Sequence, residues 1–250
     1  MMELQRPPAP ASLSTPPMRQ YVAACAQYAA DCATAPDPDL VPRPAKPGEY
    51  RSSDVLRAFD THFFSKCYLT EQYFGSAWEM DVDHFVPVNQ DPALKYDWDN
   101  LFPAAHKANM MRPRQWPAGG LLDPCRDQVE RRLLATIGGG GSEPRFEPAD
   151  ATDAAARSTA GLLNLLHNGK TNDELSRRNT KHLRVTIRDC YDRVLHAILR
   201  FQSARDQQNP QRIATARREL SGLLSRRAAF TQLMRAMPAV QEFVPAELLD

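Results

Sequence analysis

Asp81-Val82-Asp83-His84-Phe85-Val86-Pro87, followed by Tyr96-Asp97-Trp98-Asp99-Asn100-Leu101 and then Asn109, is the run of phrases on which the reading of this chain turns. Met80, Val82, Phe85 and Val86 supply β-favouring bulk, and Pro87 halts ladder pairing, so Asp83-His84 reads as the end of a strand. Asn89, Asp91 and Pro92 are turn-formers. Tyr96 to Leu101 then alternates large apolar with small polar side chains before a short helix carrying His106 and Asn109. The order is strand, loop, strand, helix. Neighbouring residues on a strand point in different directions, so Asp83 and His84 address two sides of one site.

These pieces resemble an HNH nuclease site, in which that order of elements forms a ββα-metal unit. The resemblance implies Asp83 and Asn109 as ligands of a divalent cation, His84 as general base, and Asn100 as the brace of the loop between the strands. The residue types suit these roles. Phosphodiester hydrolysis needs a base to deprotonate water and a hard cation to polarise the phosphate and stabilise the departing oxygen. An imidazole near its ordinary pKa supplies the base, and carboxylate and amide oxygens suit Mg²⁺ or Mn²⁺. Two protein ligands leave positions for water and for the phosphate. An asparagine amide both donates and accepts, as a loop brace must. Arg112 falls where related sites often carry a lysine and, with Lys107, is the expected phosphate contact, a solvated arginine being the alternative.

HNH proteins usually also carry two Cys-x-x-Cys pairs around a structural zinc. Here Cys67 remains while Thr70, Ala105 and Ala108 hold the other three positions. One thiolate does not make a tetrahedral zinc site, so no structural zinc is expected, and His106 reads as a solvated or phosphate-facing position. None of the lost residues would touch the scissile phosphate.

Around the site the aromatics Phe63, Phe64, Tyr68, Tyr73, Phe74, Trp78, Phe85, Tyr96, Trp98 and Phe102 read as a small apolar core, with a base-stacking surface as the alternative. Residues 1–17 are proline-rich and extended, packing across the surface, and 36–47 form a second proline-rich connector. Helical spacing covers 18–32 and 53–65, the latter with Ser53 as its cap. Leu121-Leu122-Asp123-Pro124 reads as a turn before a short helix through Val129, Leu133 and Leu134. Gly138 to Ser142 is a flexible loop, too far from any Lys-Ser or Lys-Thr pair to be a phosphate-binding loop, and 143–150 continue the connector. The rest is helical: 154–166, a helix opened by Asn172-Asp173, a long amphipathic helix with a stripe from Ile187 to Phe201, and another begun by Asn209-Pro210.

The 250 residues carry a net charge of +1, so the chain as a whole is not the basic surface that grips nucleic acid by charge alone. The balance is uneven, since arginines and lysines crowd the stretch from Arg177 to Arg235. That stretch reads equally as solvated helix faces or as a grip for nucleic acid or an acidic partner. Five scattered cysteines argue against a disulfide framework and for reduced thiols in a cytoplasm. No apolar run is long enough to cross a bilayer, and no signal peptide is expected.

Beyond the site, the layout resembles the HNH effectors of Septu and retron anti-phage systems. The shared features are Met1-x-x-x-x-Arg6-Pro7, Asp83-His84-Phe85-x-Pro87, Tyr96 to Leu101, Leu122-Asp123-Pro124, and Leu162-Leu163-Asn164 before an arginine-rich helix. The resemblance implies a nuclease acting with an ABC-type ATPase subunit. The expected architecture is α+β, a small ββα-metal unit in a mainly helical chain: an N-terminal arm and helix over 1–50, the nuclease core over 51–117, and a helical region over 118–250. The expected activity is cation-dependent cleavage of DNA or RNA. Two other readings are a catalytically idle subunit that binds nucleic acid or the ATPase, and a self-sufficient HNH enzyme.

Overall fold

Prolines open the first long element, α1 (Pro16–Thr34), where their missing N–H groups would be unpaired in any helix. The computed structural model describes residues 1–138 and 143–249, which form a mixed α+β fold, mainly helical. Of the glycine-rich loop expected at 138–142, all but Gly138 lies outside the described residues.

α2 (Ser53–His62) buries Val55, Leu56 and Phe59. Its cap position is Ser52 rather than Ser53, and the Asp54 carboxylate accepts from the hydroxyls of Ser52 (2.6 Å) and Ser12 (2.7 Å), tying the N-terminal segment to the helix start. The helix ends short of Ser65 because Phe64 and Ser65 take left-handed backbone angles (φ 58° and 53°).

β1 (Asp81–His84) pairs antiparallel with β2 (Leu101–Ala104), Asp83 opposite Phe102 and His84 opposite Leu101. The second strand thus begins where the sequence pattern had it end. Residues 92–96 and 98–100 form 3-10 turns instead. The Asp91 and Asp97 carboxylates accept from the backbone N–H two residues on, each at 3.0 Å, and such local bonds compete with a ladder. The alternation at Tyr96 and Trp98 survives as burial of both rings. α3 (His106–Met111) then runs off β2.

A second departure follows. α4 (Val129–Arg132) is a single turn, after which β3 (Leu133–Thr136) pairs antiparallel with β4 (Arg145–Pro148), where a helix end and a connector were expected. The later helices follow their caps: α5 (Ala154–Asn168) from Asp153, α6 (Glu174–Asn179) from Asp173, α7 (Lys181–Asp206), and α8 (Pro210–Leu224) from Asn209. In each capped case the side-chain oxygen accepts the N–H three residues on. α7 buries Ile187, Tyr191, Val194, Ile198 and Phe201 and packs on α8, and α9 (Thr231–Arg235) and α10 (Pro238–Phe243) close the fold.

The buried apolar residues form one cluster reaching from Met1 to Leu248, so the three expected segments share a core. The proline-rich start lies along the surface as expected and is anchored in the core by Met1, Met2, Pro10 and Leu13. The Met1 ammonium meets the buried Glu71 carboxylate at 2.9 Å, and the Arg6 guanidinium lies 4.2 Å from the Phe102 ring centroid while donating to the carbonyls of Trp98 and Leu101. Phe59 stacks on Trp98 and Tyr68 on Phe102, so these rings are core, whereas Tyr73 and Trp78 are exposed. Among the described residues no helix is long and apolar enough to cross a membrane.

Candidate functional site

β1, the loop behind it, α3 and the chain leaving α3 surround an open cavity of about 590 Å³. Asp81, Asp83, His84, Asn109 and Arg112 all line it, and so do His106 and Arg114. The strand, the turns and the helix thus bring the expected base and both expected ligands to one hollow, but they sort them into three separate sets of contacts.

His84 forms the first set. Its Nε2 lies 3.0 Å from the carbonyl oxygen of Lys95, which only accepts, so Nε2 carries the proton and Nδ1 carries the lone pair. The Tyr50 ring meets the imidazole edge-on at 4.7 Å. Burial lowers the His84 pKa below its ordinary value, and the nearby Lys95 and Arg112 charges push the same way, so the ring is neutral at pH 7. The loop beneath is held by Asn100: its Oδ1 accepts from the Val86 N–H (2.6 Å), and its Nδ2 donates to the carbonyls of Val86 (3.0 Å) and Leu94 (3.3 Å). One buried amide therefore fixes both the residue two beyond the base and the turn that presents Lys95 to it.

Asp83 belongs to the second set. Its Oδ2 accepts from the Tyr68 hydroxyl at 2.6 Å and from the Arg112 guanidinium at 2.5 Å. Arg112 also donates to the carbonyls of His84 (2.8 Å) and Phe85, pinning the end of β1 to the end of α3. Burial raises the Tyr68 pKa well above its ordinary value, with the Asp83 charge adding to it, so the phenol stays a donor. With 6% of its side chain exposed, Arg112 is not the solvated arginine of the alternative reading, and its donors meet the Asp83 carboxylate, the Tyr68 hydroxyl and two backbone carbonyls inside the protein. Lys107 is exposed on α3 but lines a different cavity of about 220 Å³, beside Gln72 and His182. The exposed cation lining the 590 Å³ cavity is Arg114.

Asp81, which sequence reasoning passed over, is the centre of the third set. Its Oδ2 lies 3.0 Å from the Asn109 Nδ2 and 3.0 Å from the His106 Nδ1. Asn109 is therefore paired with Asp81 and not with Asp83. The signal was present, since Asp81 and Asp83 stand two apart on one strand and so share a face, and His106 and Asn109 stand three apart on one helix.

The positions of the absent cysteines are filled by packing. Cys67 is fully buried and its Sγ accepts from the Thr70 N–H at 3.5 Å, while Ala105 and Ala108 are buried in the apolar core. Among the described residues no three His, Cys, Asp or Glu side chains group to hold a metal ion. The donors around the cavity include the carboxylates of Asp81 and Asp83 and the amides of Asn89 and Asn109, oxygen groups of the kind that a hard divalent cation takes while keeping several waters. Compared with protein-family models, with curated proteins and with solved structures, the chain has no match among them.

Proposed function

We propose that this chain is a cation-dependent endonuclease of HNH type, cleaving nucleic-acid phosphodiester bonds in the 590 Å³ cavity. The observation that carries the reading is His84: a neutral imidazole with its tautomer set by the Lys95 carbonyl, on the same hollow as two carboxylates and an asparagine amide. In this reading Nδ1 of His84 accepts a proton from water as it attacks phosphorus. Asn100 and Arg112 keep the imidazole in place by holding the backbone from His84 to Val86. Arg114, exposed on the cavity, attracts the substrate's phosphates. Carboxylate and amide oxygens from Asp81, Asp83 and Asn109 are the protein groups available to hold Mg²⁺ or Mn²⁺. Such a cation supplies charge to stabilise the phosphate and the departing oxygen.

The wider resemblance extends the reading to an effector of anti-phage defence working in the cytoplasm beside an ABC-type ATPase. A net charge of +1 gives the chain little grip on nucleic acid by itself, which supports control by a partner. One observation favours a second reading, a catalytically idle binding subunit: Asp83 is already paired with Arg112 and accepts a hydrogen bond from Tyr68. Incubation of the purified chain, alone and with the product of its neighbouring gene, with plasmid DNA and total RNA in Mg²⁺, Mn²⁺ or EDTA separates the two. Cleavage that EDTA abolishes supports the nuclease; intact substrates in every arm support the idle subunit.

A further inference from the structure

The two carboxylates of β1 face very different company. The Asp83 side chain is 8% exposed, and its Oδ2 already takes a phenol hydroxyl and a guanidinium. A divalent cation placed there would sit against the fixed positive charge of Arg112 in a poorly hydrated site, where repulsion is weakly screened. The Asp81 side chain is 34% exposed on the same cavity, and its hydrogen-bond partners are His106 and Asn109, neither an arginine nor a lysine.

The contact between Asp81 and Asn109 is also compatible with a shared cation. In an octahedral Mg²⁺ site with ligand oxygens at about 2.0–2.1 Å, neighbouring ligand atoms are about 3 Å apart. The Asp81 Oδ2 and the terminal amide atom of Asn109 are 3.0 Å apart. That amide atom is Nδ2, donating to the carboxylate, and a half-turn of the amide puts Oδ1 in its place. The pair is thus a hydrogen bond without a cation and becomes one edge of a coordination shell with one. His106 completes the arrangement. Its Nδ1 approaches the same Oδ2 at 3.0 Å, and since a carboxylate only accepts, Nδ1–H donates and holds the carboxylate in orientation.

We propose that Asp81 and Asn109 are the cation ligands of this chain, with His106 positioning Asp81, and that Asp83 is a positioning residue that acts through Arg112 on the backbone of His84. The assignment rests on the reading of the cavity as a cation-dependent site, and it moves the ligand role two residues along β1.

Mn²⁺ uptake by the purified full chain, followed as loss of the free-ion signal in electron paramagnetic resonance, tests it without any need for cleavage. Wild type is expected to bind Mn²⁺, Asp81→Asn to bind it at least about tenfold more weakly, and Asn109→Asp to bind it more tightly, because ligand charge sets affinity. Asp83→Asn, in preparations whose melting transition shows a folded protein, is expected to keep affinity within about threefold of wild type. Asp81 is a partly exposed side chain, so the Asp81→Asn arm decides even where Asp83→Asn does not fold. Undiminished uptake by Asp81→Asn overturns the assignment while leaving a cation-dependent nuclease standing. No uptake by wild type overturns the assignment and the cation-dependent reading together.

Discussion

Arg112 illustrates how one side chain can be spent on structure where sequence suggests a ligand contact. Its cation is buried against the Asp83 carboxylate, the Tyr68 hydroxyl and two carbonyls, an arrangement in which removing one partner strands the other. Arg112→Ala is therefore expected to cost about 3–5 kcal/mol of stability, read as a shift in urea midpoint. Arg112→Lys, unable to reproduce the fork, is expected to fall between the two. A surface role in phosphate binding would instead leave the midpoint within about 0.5 kcal/mol of wild type. Nothing in Arg112-Pro113-Arg114 distinguishes the buried arginine from the exposed one, because burial is decided by where α3 ends relative to β1. The sequence order made Asp83 and Asn109 look like partners for the same reason: pattern gives faces of elements, while the pairing of Asn109 with Asp81 depends on how far α3 is offset along the strand.

Among the elements, those governed by local chemistry were legible. Pro87 follows β1, α3 carries His106 and Asn109, and Asp173 and Asn209 cap their helices through their own side chains. β2 was displaced because Asp97 closes a turn over Trp98 and Asp99, inside the stretch that alternates like a strand. The β3–β4 pair was hidden for another reason: Leu133 and Leu134 after Val129 fit a helix as well as a strand, and only pairing across the intervening glycine-rich segment decides. The loop joining β1 to β2 is stabilised at Asn100, whose amide satisfies both backbone groups of Val86. Asn100→Ala leaves those groups without that partner, and a loss of about 2–4 kcal/mol is expected from chemical denaturation. A change under 1 kcal/mol would show that the loop holds its shape unaided.

On the scale of the whole molecule, a single core joins the anchored N-terminal segment, the site and the C-terminal helices. His167 sits in that core, 1% exposed, its Nδ1 against the Leu163 carbonyl and its ring against Phe146. Burial pushes its pKa down to about 4, and burial pushes the His84 pKa in the same direction. The unfolded chain therefore binds protons on these histidines before the folded chain does. Stability is full above about pH 6.5 and falls as pH drops toward 4, by about 3 kcal/mol from His167. Asp54 and Asp153, held down to about 2, lose their contributions only below about pH 4, while Asp123, raised by burial, opposes the histidines in the window between and tempers the slope. Urea unfolding at intervals from pH 7 to 4.5 measures the slope, which is expected to shrink in His167→Gln. A flat profile in wild type would mean that His167 is protonated in place.

The nuclease reading stands on one neutral imidazole at one cavity, and cleavage by a variant lacking it is the direct measurement. Initial rates of nucleic-acid cleavage in Mn²⁺ should be compared for wild type and His84→Ala, each shown by circular dichroism to be folded. Loss of a general base is expected to slow the reaction by about two to four orders of magnitude. A His84→Ala protein that cuts at the wild-type rate would contradict the account.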